Sequence, residues 1–138
     1  MQEVILTEEE LRIRCTEWQK ILRLQDWIVV LEIKRGRDMP INNVCGSCSW
    51  ELTQKMAAIS ILDPIDYPPD SIAPNDMELT LVHELLHLHF CSIEPDGASV
   101  AGEQAIESIS WGLIALARRG GETKNENANL RRDGGVEG

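Results

Sequence analysis

NDMELTLVHELLHLHF, residues Asn75 to Phe90, contains all three histidines of the chain, and its reading decides the rest. Its centre is His83-Glu84-Leu85-Leu86-His87, an H-E-x-x-H. On an α-helix, residues four apart share one face about a turn apart, so two imidazoles at this spacing can grip one ion. Glu84 sits between them and slightly round the cylinder. It can therefore take a proton from a water beside the ion without competing for the metal, an arrangement suited to zinc-assisted hydrolysis. The surrounding Leu79, Leu81, Val82, Leu85, Leu86, Leu88 and Phe90 make the helix apolar nearly all round, which predicts burial. Two imidazoles and a carboxylate buried there cost several kcal/mol unless something pairs them, and a metal ion does. His89 points about 120° away from His83 at 100° per residue, so it does not belong to the same ion.

Outward from this helix, the chain reads as one α+β domain. Thr7-Glu8-Glu9-Glu10 has the form of a capping box, followed by Leu11, Cys15, Trp18 and Leu22 at helical spacing, which predicts a first helix over Glu8 to Leu24. Trp27 to Lys34 is rich in β-branched residues and reads as a strand. A second extended region lies within Val44 to Leu52, and Met56 to Leu62 alternates as a third strand that stops at Asp63-Pro64. Together they predict a small, mostly antiparallel three-stranded sheet, with Met56 to Leu62 as an edge strand along which a peptide could add by β-pairing. Pro64, Pro68, Pro69 and Pro74 make an irregular acidic loop into the H-E-x-x-H helix, where Asn75 as N-cap and Glu78 at N3 form a second capping pair. A last helix is expected over Ser99 to Arg119, packing through Val100, Ile106, Ile109, Leu113, Leu116 and Ala117, with Gly120 ending it. The domain is thus 1–119, and the polar segment 120–138, with little to bury, is expected to be disordered.

At 138 residues, 43% of them hydrophobic, the chain can bury one modest core. No window approaches the 18 or so apolar residues of a membrane span, and MQEVILTEEE resembles no secretory leader. A cytoplasmic location and no membrane partner are expected. Cys15, Cys45, Cys48 and Cys91 are then expected as free thiols, and Cys45-Gly-Ser-Cys48, with no second such pair to complete a zinc ribbon, as an ordinary loop or hairpin feature. The net charge of −10 is concentrated: no Lys or Arg lies between Lys55 and Arg118, whereas ten acids from Asp63 to Glu107 do. That negative field favours a divalent cation and repels phosphate backbones, so nucleic acid is not an expected partner.

A catalytic zinc usually has three protein ligands, and two histidines leave one to be found. Glu103 and Glu107 stand four apart on a helix that can fold back against the first, so either carboxylate could reach the ion. With no Lys or Arg nearby, an oxyanion donor would have to be Tyr67, His89, a residue of the first half, or nothing beyond the metal.

His83-Glu84-x-x-His87 followed by a helix bearing Glu103-Gln-Ala-Ile-Glu107 resembles the glutamate-zincin pattern, and residues 7–119 as a whole resemble the minimal single-domain metallopeptidases of bacteria and their phages, akin to the ImmA/IrrE and SprT-like groups. The resemblance implies a minimal zincin-like fold and a zinc metalloendopeptidase acting on a protein or peptide. His83, His87 and Glu103 would bind Zn2+, Glu84 would be the general base, and Glu107 would hold a ligand histidine, with Glu107 as ligand the alternative. The chain departs from these relatives in having no helix-turn-helix or zinc-ribbon module and a shorter His87 to Glu103 loop. Two other classes compete: a zinc-binding but non-proteolytic interaction or inhibitory module on the same fold, and a small interaction domain whose histidines are structural.

Overall fold

Helix α1 (Glu8–Ile21) begins as its capping box requires, with Thr7 Oγ1 accepting from Glu10 N and Glu10 Oε1 accepting from Thr7 N. The molecule is described here from a computed structural model, which gives the backbone of residues 1–134 and side chains as far as Gly120. Its α1 ends earlier than Leu24 because Arg23 adopts a left-handed φ of 60°. Leu24 N then donates to Gln19 O and Arg23 N to Lys20 O, the paired bonds that close a Schellman motif. Leu11, Cys15 and Trp18 are the buried stripe.

Strands β1 (Ile28–Lys34), β2 (Gly46–Glu51) and β3 (Met56–Leu62) form one sheet in the order β1-β3-β2. β2 and β3 are an antiparallel hairpin closed through Leu52 to Lys55, where Lys55 takes a φ of 51°. β1, however, pairs with β3 in parallel, so the sheet is mixed and β3 is its centre. The expectation that Met56 to Leu62 is an edge is therefore corrected: both its sides are occupied, and Ile59, Ser60, Ile61 and Leu62 are all buried. Strand order depends on which partner a strand meets through space, and alternation along one strand does not encode it. The free edges belong to β1 and β2.

Helix α2 (Met77–Phe90) lies across the inner face of this sheet, burying Met77, Leu81, Val82, Leu85, Leu86 and Leu88 against α1, β2 and β3. Its N-cap is Asp76, whose carboxylate accepts from Leu79 N, and not Asn75. Val4 N donates to Asn75 O and Met77 N to Val4 O, so the extended N-terminal segment draws Asn75 out of the capping position. The approach of β2 to α2 depends on Gly46. A Cβ there would lie 2.6 Å from Thr80 Cγ2 and 3.1 Å from Glu84 Cγ, so only glycine fits between strand and helix.

Helix α3 (Val100–Gly134) packs antiparallel-fashion back onto α2 after a short turn, through Ile106, Ser110 and Ile114, one residue per turn. Val100, Ile109 and Leu116, expected in that stripe, are exposed. The helix does not stop at Gly120 but continues to Gly134; Gly97 is the one described glycine with positive φ. The expectation of disorder over 120–138 falls mostly on residues outside those whose side chains are described. No described helix is long and apolar enough to cross a membrane.

Candidate metal centre

The apolar residues that bury α2 also fix which of its groups remain free to act. With Leu81, Leu85 and Leu88 turned into the core, His83, Glu84 and His87 face a cleft of about 600 Å³, bounded by β2 on one side and α3 on the other. The His83 and His87 rings are 5.3 Å apart between centroids. Across from them, the Glu103 carboxylate reaches both: Oε2 is 3.0 Å from His83 Nε2 and Oε1 is 3.2 Å from His87 Nε2. One ligand atom from each of the three lies within 4.8 Å of the others, so this group can hold a metal ion. Bonds of about 2.1 Å at tetrahedral angles separate donor atoms by about 3.4 Å, a spacing that falls inside the 4.8 Å limit of this group. Burial holds the His87 pKa below its ordinary value, which keeps that imidazole neutral and its lone pair available.

Glu107 lies one turn on from Glu103 and does something different. Its Oε2 accepts from His83 Nδ1 at 2.6 Å, which leaves Nε2 as the ring's ligand atom, and its Oε1 accepts from Trp111 Nε1 at 2.9 Å. His87 is steadied otherwise: the Trp50 indole stacks on it, centroids 6.3 Å apart and planes 17° from parallel. Neither tryptophan is singled out by the sequence reading. Trp111 carried a usable signal, since Glu107 and Trp111 are helical i, i+4 neighbours; Trp50 carried none.

Glu84 is only 5% exposed, and no described residue donates a hydrogen bond to its carboxylate. Burial, opposed by the nearby His83 and reinforced by Glu103 and Glu107, pushes its pKa up to about 7. Three carboxylates around two imidazoles form a locally anionic pocket. The wider acidic field is partly answered by other cations, because Arg35 binds Asp66 and Arg118 binds Asp76 and Glu78.

Two predicted participants stand apart. Tyr67 lines the cleft, but its hydroxyl donates to the Ala73 carbonyl and so anchors its own loop. His89 points to the other side of α2, where Nε2 donates to Leu22 O and ties the end of α2 to α1. Cys45 and Cys48 line the cleft as free thiols whose pKa values are raised by burial, so neither is primed as a thiolate.

No protein-family model, curated protein or solved structure matches this chain. The metal-holding group of His83, His87 and Glu103 therefore rests on geometry and donor chemistry alone.

Proposed function

We propose that the chain is a zinc-dependent metallopeptidase in which His83, His87 and Glu103 hold the ion and Glu84 is the general base. The observation that carries this reading is the presence, in one cleft, of a convergent His-His-Glu set beside a buried carboxylate that accepts no hydrogen bond from a described residue. A mixed nitrogen and oxygen donor set suits zinc better than calcium or magnesium, which favour oxygen alone. A zinc ion held by His83, His87 and Glu103 would supply Lewis-acid polarisation of a peptide carbonyl and a lowered pKa for the attacking water. Glu84, buried beside the same ligand set, would take the proton of the attacking water and return it to the leaving amine nitrogen. Glu107, held by Trp111, keeps the His83 ring in one tautomer and orientation.

The substrate in this reading is an extended peptide laid along β2. Leu62 N donates to Cys45 O, so in the antiparallel ladder the main-chain groups of Gly46, Cys48 and Trp50 point away from β3, along the cleft. Tyr67 reaches an oxyanion only after its bond to Ala73 breaks. Four free thiols fit a reducing, cytoplasmic setting.

Metal analysis of the purified protein, combined with cleavage of a proteome-derived peptide mixture by wild type and Glu84→Gln, tests the reading. Stoichiometric zinc in both and cleavage reduced on the order of a hundredfold or more in Glu84→Gln are expected. Zinc with no cleavage by either leaves a zinc-holding interaction module instead.

A further inference from the structure

The cleft extends well beyond the residues just described. From His83 and Glu84 it runs back along α2 to the loop before the helix, where Asn75 lines it. Asn75 is 7% exposed, yet its side-chain amide hydrogen-bonds to no described residue; only its main-chain carbonyl is used, by Val4 N. No fully enclosed side-chain polar atom among the described residues lacks a partner, so the Asn75 amide meets open space in the cleft rather than dry protein. Its polar neighbours are committed elsewhere: Asp76 caps α2 and binds Arg118, Thr80 Oγ1 donates to Asp76 O, and Tyr67 donates to Ala73 O. A nearly buried amide that has no protein partner and opens on a cleft is held free for whatever fills that cleft, and a ligand that replaces its water must reproduce the hydrogen bonds.

We infer that Asn75 is a recognition residue that binds the main chain of an extended peptide at the end of the cleft remote from the bond that is cut. An asparagine amide offers one acceptor and two donors, and a peptide unit presents the complementary N–H and C=O whatever its side chains are. The distance is suitable. Some seven residues of α2 separate the start of the helix from Glu84, roughly 10 Å at 1.5 Å per residue. An extended chain covers that span in about three residues. Asn75 thus cannot touch the reacting carbonyl. It holds the substrate, and it does so only for substrates long enough to reach it. The backbone at Asn75 is pinned by the bridge to Val4, so the amide is presented by a fixed loop.

This inference rests on the peptidase reading, and the experiment separates the two. Wild type, Glu84→Gln, Asn75→Ala and the near-isosteric Asn75→Asp are assayed on two mixed-sequence, quenched-fluorescent peptide pools, tetrapeptides and decapeptides, with bound zinc and thermal midpoint recorded for each protein. The expected result is a roughly tenfold fall in kcat/KM for both Asn75 variants on decapeptides, carried by KM, with tetrapeptide cleavage, zinc content and midpoint unchanged. Asn75→Asp keeps the volume but removes the donors, so its loss reports hydrogen bonding and not a cavity. Equal losses on both pools, or none on either, overturn the Asn75 assignment while leaving the peptidase standing. Wild type no faster than Glu84→Gln on both pools overturns the peptidase and the Asn75 assignment together.

Discussion

Glu84 is the residue at which stability and chemistry oppose each other. Its folded pKa of about 7 lies above the ordinary carboxyl value of 4.5, so the folded state holds the proton more tightly than the unfolded one. Stability from this group is therefore greatest at low pH and is lost as pH rises from about 4.5 to 7, by roughly 3 kcal/mol in all. Glutamine does not titrate. In chelator, the stability of Glu84→Gln relative to wild type should climb across that interval and level off above it; denaturant melts at several pH values check this, and a flat difference refutes it. Glu107 poses a different question, because its two oxygens are shared between His83 and Trp111. Glu107→Ala should weaken metal binding about 10–100-fold, and Trp111→Phe less, in the same direction, by competition with a chelating dye.

At the level of elements, α2 is placed from both ends. Asp76 and Glu78 at its start meet Arg118 from α3, at 2.7 Å and 3.5 Å, while Glu78 also accepts from Trp18 of α1 at 2.9 Å. Arg118→Met keeps much of the stem and removes the charge, leaving Asp76 largely buried without its guanidinium; a loss of about 2 kcal/mol is expected in thermal or denaturant melts. Such contacts explain what the sequence did and did not disclose. The H-E-x-x-H helix, the Thr7 capping box and the limits of β3 are set by neighbours within a few residues, so local pattern suffices to read them. The choice of Asp76 over Asn75 as cap turns on Val4, some seventy residues away, and the role of Arg118 turns on an acid 42 residues distant. The place of β3 at the sheet's centre likewise depends on β1, which its own alternation cannot reveal.

For the whole molecule, the group that could hold a metal ion lies where α2, α3 and β2 meet, so occupancy should couple to global stability. An ion bound to the folded state alone, at a thousandfold its Kd, adds about 4 kcal/mol. Stripping the protein with chelator should lower the melting midpoint by on the order of ten degrees, and zinc should restore it. A midpoint indifferent to chelator would remove the metal from the fold. Legibility at this scale was mixed: the α+β class and the pairing of the two last helices were predictable, whereas the cleft's second wall depends on Gly46, which the sequence presents only as part of Cys45-Gly-Ser-Cys48.

The stacking of Trp50 on His87 has an optical consequence. An excited indole loses its electron to an imidazolium more readily than to a neutral ring, so acidifying the metal-free protein should dim part of its ultraviolet emission, and Trp50→Phe should abolish that component. The protein thereby carries its own lamp beside the ligand ring, and the state of His87 can be followed in solution without any added label.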